Sequence, residues 1–305
     1  MKKESKIFVI VVTYKGMRWY DKCFGSLRES TIPLQTVVVD NTPGDEDADY
    51  IREHYPEVHL IKPETNLGFG QSNNVGMRYA LDNGCDYVFL LNQDAWIDTD
   101  TLAIMVPIAE KHTECGLFSP IHIAADTNTV NFIVEDDSRD HANALMSDCY
   151  FQTFKDVYYC RYVNAAAWLL PRKTLDTVGG FDPMFFMYGE DDQYLQRLKY
   201  FRLWAGIIPK TKITHDHPKE ASTHIQALPE TIKLNERLTK YLNISTPMSV
   251  SRWILHNAKR LMKAIVKFDG VKIRYYYEEI VFLIQNRKSI SQSRQSNIKV
   301  GQTWL

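Results

Sequence analysis

An α/β fold with a largely parallel sheet is predicted over the first 120 residues, on three observations. Short β-branched and aromatic runs recur; each gives way to a polar loop and then to apolar residues at helical spacing; and the cadence repeats at the length of a β-α unit. The runs predict strands at 7–13, 36–40, 58–62, 87–91 and 116–119. Between them Trp19, Cys23 and Leu27 fall four apart, and Leu102, Val106 and Ala109 keep similar spacing, as one apolar helix face requires. Alternation of this kind covers both faces of a sheet, because each parallel strand is reached by a crossover that packs back onto it.

From about 126 to 159 the pattern loosens around the acidic Glu135-Asp136-Asp137, which suggests an irregular insertion or a hairpin. Residues 161–171, with the small run Ala165-Ala166-Ala167, read as a further strand. Gly179-Gly180-Phe181-Asp182-Pro183 reads as a turn by its glycines and proline. Tyr194, Leu195, Leu198 and Phe201 then follow helical spacing, 203–209 suggests a strand, and a polar loop with His215 and His217 leads to carboxyl-terminal helices.

The 305 residues are 45% hydrophobic, enough for a sizeable core and for one or two domains. Five widely spaced cysteines without a C-x-x-C pair argue against a disulfide framework or a zinc ribbon and favour a reducing compartment. Met1-Lys2-Lys3 followed by 7–12 imitates a leader but runs into Thr-Tyr-Lys-Gly without a small-residue cleavage site, so it is expected to be the first strand. No apolar run reaches the roughly 18 residues that span a bilayer, so a soluble or peripheral cytoplasmic protein is expected. The net charge of -1 hides an asymmetry: from Thr246 onward eleven Lys and Arg face three acids.

Polar residues gather where the predicted strands end, the place where ligands collect in open α/β sheets. Thr13-Tyr14 follow the first strand, Asp40-Asn41 the second, 66–70 the third and Asn92-Gln93-Asp94 the fourth. Carboxylates and amides are costly to bury unpaired, so the last triplet points to water, metal or ligand; alternatively it caps a helix or shapes a turn. Asp40 can accept a hydrogen bond from a nucleobase or ribose hydroxyl, although the stretch 40–44 also suits a plain turn. The glycines of 66–76 permit close backbone approach, and the following helix points its positive end at anions. Glu190-Asp191-Asp192 either complement a helix dipole or supply a base. Trp168 can lean against a sugar ring or fill the core.

The ordered segments VVTYK, VVVDN, NLGFGQSNNVG, LLNQDAW, GGFDPMFFMYGEDDQYLQR and THDH resemble a family 2 glycosyltransferase of the GT-A fold, over roughly residues 7–217. The resemblance implies a GT-A, Rossmann-like catalytic domain at 1–220, with a nucleotide-sugar-binding half at 1–120 and an acceptor-binding half at 121–220. A helical, basic extension follows at 221–305. It also implies inverting transfer of a sugar from a UDP- or dTDP-linked donor to a hydroxyl of a glycan or lipid-linked acceptor in bacterial surface polysaccharide synthesis.

By the same resemblance the donor is bound by Thr13, Tyr14, Asp40, Asn41, Asn66, Gly68, Phe69, Asn73, Asn92 and Gln93. A divalent cation, Mn²⁺ or Mg²⁺, is held by Asp94 and by His215 or its competitor His217. Asp191 is the base, Glu190 meets the acceptor at the catalytic centre, and Trp168 and Asp192 bind the acceptor. Where the family usually has Asp-x-Asp this chain has Asn92-Gln93-Asp94, which removes one charge from the metal site and leaves metal dependence open.

Arg252, His256, Lys259, Lys263 and Lys267 recur three or four apart opposite Ile254, Ala258, Leu261, Met262 and Ile265. Such a helix either lies on anionic lipid or packs on the catalytic domain with its basic face in water. No nucleic-acid partner is expected. Two rival readings remain, a sugar-nucleotide pyrophosphorylase and a non-catalytic nucleotide- or glycan-binding relative. The first fits poorly, because Thr-Tyr-Lys-Gly-Met-Arg-Trp stands where a glycine-rich, basic triphosphate loop belongs.

Overall fold

The computed structural model describes residues 4–126, 129–130, 143–216 and 229–305. The amino-terminal half runs β1 (Ile7–Thr13), α1 (Met17–Arg28), β2 (Gln35–Asp40), α2 (Glu46–His54), β3 (His59–Ile61), α3 (Gly68–Asp82), β4 (Tyr87–Asn92), β5 (Ala95–Ile97), α4 (Thr101–Lys111) and β6 (Cys115–Ala124). After it come α5 (Asn143–Phe151), β7 (Tyr158–Cys160), β8 (Ala167–Pro171), α6 (Arg172–Thr177), α7 (Glu190–Tyr200) and β9 (Trp204–His215). Among the described residues beyond β9 come the helices α8 (Pro229–Leu242), α9 (Val250–Val266), α10 (Gly270–Gln285) and α11 (Arg287–Asn297).

Among the described residues nine strands form one sheet in the order β3-β2-β1-β4-β8-β6-β9-β5, with β7 also on β9. This is the α/β, GT-A-type fold expected, with one correction. β3, β2, β1 and β4 make a continuous parallel block and β6 and β9 a separate parallel pair; β8 runs antiparallel to β4 and to β6, and β5 and β7 run antiparallel to β9. The parallel block follows from its βαβ crossovers, whereas β8 is reached through the long 126–166 stretch, which frees its direction.

Residues on β1 alternate between two cores. Ile7, Val9 and Val11 face the side covered by α1, with Tyr20, Cys23 and Leu27, and Phe8 and Ile10 face the side covered by α3, with Met77 and Ala80. Burial on both faces explains why β1 and β4 read as continuous apolar runs rather than alternating ones. A third cluster joins Phe185, from the loop before α7, to Leu238, Tyr241 and Leu242 of α8, Phe282 and Leu283 of α10 and Ile290 of α11. The final residues also pack onto the turn before α7, where Gly180 N donates to Thr303 O at 2.8 Å.

Several expectations need adjusting. The strand read over 161–171 begins only at Ala167, and 161–166 is loop, of which Tyr162, Asn164, Ala165 and Ala166 line the cleft described below. β9 continues six residues past 209 to His215, with its register against β6 shifting at Pro120/Ile121. Glu135-Asp136-Asp137 and His217 lie outside the described residues. No disulfide forms among the described residues; Cys23, Cys85, Cys115 and Cys160 are buried and Cys149 is exposed. Among the described residues no helix is long and apolar enough to cross a membrane.

Candidate active site

Parallel register sets the polar strand ends on one rim, with Thr13 across from Asp40 and Val12 across from Asn92. Beyond Asn92 the chain turns through Gln93 and Asp94 into β5, whose Ala95 pairs with His215 at the end of β9. That pairing holds His215 Nε2 3.2 Å from Asp94 Oδ1, with both side chains largely buried. Asp216 N secures the turn by donating to Asp94 O at 2.8 Å.

The opposite wall comes from the start of α7. Tyr188 and Gly189 both take left-handed backbone angles, φ 67° and 83°, and this double turn delivers Glu190, Asp191 and Asp192 as the first turn of the helix. Glu190 is 5% exposed and its Oε2 has no hydrogen-bond partner among the described residues. Burial, and then the neighbouring Asp191 charge, push its pKa up to about 8, so it carries a proton at neutral pH. Burial raises Asp191 too, against hydrogen bonds that favour its charged form, first from the Tyr162 hydroxyl at 2.8 Å and then from backbone amides including that of Ala165. Asp192 is pushed up to about 6 by burial and by the Asp191 charge.

Both walls open into one cleft of about 600 Å³, lined by Tyr14, Asn41, Asn66, Gly68, Phe69, Asn92, Gln93, Asp94, Glu190, Asp191 and His215 among others. Asp94 and Asp191, 97 positions apart in the chain, thus share a cavity. Two of these lining residues spend their polar atoms on the protein. Gln93 accepts from Tyr14 N at 2.9 Å and donates to Tyr14 O at 3.2 Å, and Asn41 Oδ1 accepts from Leu67 N at 3.2 Å while its Nδ2 donates to Ser72 Oγ at 2.8 Å. They set the loops that carry Tyr14 and Asn66 rather than offering free groups.

Five residues assigned from the sequence lie elsewhere. Trp168 has no exposed surface; its ring packs against Phe181 and Tyr194, which also touch each other, so its acceptor role is corrected to a core role. Asp40 is also fully buried, because Lys62 Nζ at 2.6 Å, Thr13 Oγ1 at 3.0 Å and Thr42 N at 2.9 Å already fill its carboxylate. It and the equally buried Thr13 support the rim from behind and do not face a base. Asn73, 2% exposed, donates back to Phe69 O at 3.0 Å within α3. Asp192 turns away from the cleft into a neighbouring groove lined by Gln196, Asn235 and Asn243 and bordered by Tyr188, which the two cavities share.

Sequence reasoning missed Tyr162, which orients Asp191, and Asn164, whose buried Oδ1 lacks a partner among the described residues and which lines the cleft. The available signal was the small run 165–167 directly after them, which leaves room for a ligand. It also missed Asn74, whose side chain donates to Phe181 O at 2.8 Å and accepts from Phe181 N at 2.7 Å, fixing the Gly-Gly-Phe-Asp turn. His122 lies behind His215 with its ring edge-on at 6.3 Å; burial pushes its pKa down to about 3, so it is a neutral neighbour bonded to Ser119 Oγ at 3.0 Å.

The donor set fits a divalent cation. Asn92 Oδ1 is buried without a hydrogen-bond partner among the described residues, in the same cleft as the Asp94 carboxylate and the His215 imidazole. Amide oxygen, carboxylate and imidazole together suit a borderline ion such as Mn²⁺ better than the all-oxygen preference of Mg²⁺. Among the described residues no group of three His, Cys, Asp or Glu side chains is arranged to hold a metal ion, so ligand oxygens and water would complete the coordination.

Residues 8–131 match the model of the family described as Glycosyl transferase family 2. The chain is 21% identical over 212 residues to the dTDP-rhamnosyl transferase RfbF of Shigella flexneri, with 69% of each chain covered. It is 22% identical over 229 residues to an N-acetylglucosaminyl-diphospho-decaprenol L-rhamnosyltransferase of Mycobacterium tuberculosis, covering 68% of this chain and 75% of that one. Among solved structures, the mannosyltransferase PcManGT from Pyrobaculum calidifontis in complex with GDP-Man and Mn²⁺ superposes with a TM-score of 0.54 at 17% identity, over 97% of this chain and 74% of that chain.

Proposed function

We propose that this family 2 glycosyltransferase moves a sugar from a UDP- or dTDP-linked donor to a hydroxyl of a glycan or lipid-linked acceptor, inverting the anomeric carbon, in bacterial surface polysaccharide or glycolipid assembly. The two rhamnosyltransferase relatives favour a dTDP-linked deoxyhexose, and the decaprenol in the mycobacterial name favours a lipid-linked acceptor. One observation carries the reading: Asn92, Asp94 and His215 on one wall of a cleft face Glu190 and Asp191 on the other.

Asp191 takes the proton of the acceptor hydroxyl as that oxygen attacks the anomeric carbon from the side opposite the leaving diphosphate. A positioned base of this kind contributes about 10²–10⁴-fold. Its raised proton affinity makes it a stronger base than a free carboxylate, and Tyr162 holds it in one orientation. Glu190, protonated at neutral pH, donates a hydrogen bond to the acceptor rather than competing for its proton. Tyr14, 42% exposed, offers a ring face to the nucleobase. Asp94 and His215, with Asn92, would hold the divalent cation, which would neutralise charge gathering on the diphosphate.

The reading is tested by nucleoside diphosphate release from a panel of dTDP-, UDP- and GDP-sugars with Mn²⁺ and a set of glycolipid acceptors. Release that depends on both donor and acceptor is expected. Formation of nucleoside triphosphate from donor and pyrophosphate, without transfer, would replace this reading with the pyrophosphorylase one.

A further inference from the structure

We infer that the hairpin of α9 and α10 docks on an anionic lipid surface, with Val266, Phe268 and Val271 at its tip entering the headgroup boundary and the lysines beside them meeting lipid phosphates. The inference deepens the lipid-linked acceptor of the proposed function and rests on that reading for its purpose, while its test does not require turnover.

The helix α9 buries one stripe, including Asn257 and Ala264, and leaves its other half in solvent. That exposed half is divided lengthwise. Leu255, Met262 and Val266, spaced i, i+7 and i+11, form an apolar row exposed by 56%, 61% and 74%. Next to it on the helical wheel run Arg252, His256, Lys259, Lys263 and Lys267. A helix that only packs on its own protein places polar residues over the whole outer face; an outer face half apolar and half cationic is the arrangement of helices lying in a membrane interface.

At the tip the apolar row widens. Phe268 is 92% exposed and Val271 83%. Phe268 N donates to Ile265 O and Asp269 N to Ala264 O, both at 3.0 Å, which ends α9 in a turn that places Phe268 at φ 52°. Glycine fills that left-handed position without steric cost; here a phenylalanine is held there and displayed to solvent.

Charge selects the partner. Between Val250 and Tyr275 seven Lys and Arg face Asp269 alone. Lys272 pairs with Asp269 and Arg274 with Glu278, but Lys259, Lys263 and Lys267 form no ion pair among the described residues. A second copy of this face would set like charges against each other, and a nucleic acid offers nothing to the apolar tip. An anionic bilayer meets both features.

The test is co-sedimentation of the full chain with phosphatidylcholine vesicles, with and without phosphatidylglycerol, at low and high salt. Binding to the anionic vesicles alone, weakened by salt, is expected. Phe268→Asp with Val271→Asp abolishes it, and Lys259→Glu with Lys263→Glu lowers it at least about tenfold. Far-ultraviolet circular dichroism and Mn²⁺-dependent dTDP or UDP binding serve as controls and remain as in the parent, which separates this outcome from failure of the catalytic reading. Equal binding to neutral vesicles, no binding, or a dimer in sedimentation that these substitutions dissolve would overturn the inference.

Discussion

The carboxylate of Asp182 accepts a hydrogen bond from Asn297 Nδ2 at 2.7 Å, across 115 positions of chain, and another from Ser293 Oγ beside it. Met184 N donates to the other carboxylate oxygen at 3.0 Å. One fully buried acid thus fastens α11 to the turn before the candidate base. Asp182→Ala leaves these donors unpaired and is expected to cost about 3 kcal/mol of unfolding free energy, together with lost turnover. Urea unfolding of the variant checks it; unchanged stability would mean that the extension is held by apolar packing alone.

Gly68 meets Phe186 across the cleft mouth. Its φ of 75° favours glycine, a Cβ there would run into the Phe186 carbonyl oxygen, and Phe69 N donates to that same oxygen at 3.0 Å. Gly68→Ala forces the two loops apart, and a stability loss of about 1–3 kcal/mol is expected from the strained backbone, with weaker nucleotide binding by calorimetry. An unaltered dissociation constant would show that the contact has no bearing on the donor loop.

Glu190 gives the site a pH signature. Its folded pKa lies above its ordinary value, so the folded state retains this proton longer than the unfolded chain does. Stability is therefore full below about pH 4.5 for this group and declines as pH rises toward about 8. Asp191 and Asp192 are shifted in the same direction and add to the decline. Denaturation midpoints between pH 5 and 9 are expected to fall in the parent and to fall less in Glu190→Gln. An identical slope in both would remove Glu190 as the group responsible.

Asp191→Asn is expected to keep donor affinity and to lower transfer by about 10²–10⁴-fold, whereas Asp94→Ala weakens binding of nucleoside diphosphate only when Mn²⁺ is present. Calorimetry with and without the ion, beside a turnover assay, separates the two roles.

Trp168→Phe checks the corrected role of that residue. A buried ring packed on Phe181 and Tyr194 predicts a stability loss of about 1–3 kcal/mol and an unchanged acceptor KM. A raised KM at wild-type stability would return Trp168 to the acceptor side.

The parallel block was legible because each of its strands is buried on both faces, which leaves uninterrupted apolar runs such as Ile7–Val12, and because polar residues stop those runs at one end. Asp94, Glu190, Asp191 and His215, which line one cleft, stand out in the sequence as acids and histidines beside such runs. Orientation was not legible. Trp168 and Trp96 look alike as letters, and only the antiparallel pairing of β8 with β4 determines that the first is sealed in the core. Asp40 looked like a ligand group because its partner Lys62 lies 22 positions away and nothing local announces the pairing. Tyr162 escaped notice for the same reason, since its target Asp191 is 29 positions further on.

The Gly68–Phe186 contact has an implication for protein engineering. A main-chain hydrogen bond, with the Phe186 ring beside it, joins the loop at 66–70 to the segment before α7, so a chimera that takes residues through 120 from one relative and the remainder from another inherits two loops shaped for different mates. Recombination to alter sugar preference should therefore carry 66–70 and 182–190 together as one cassette.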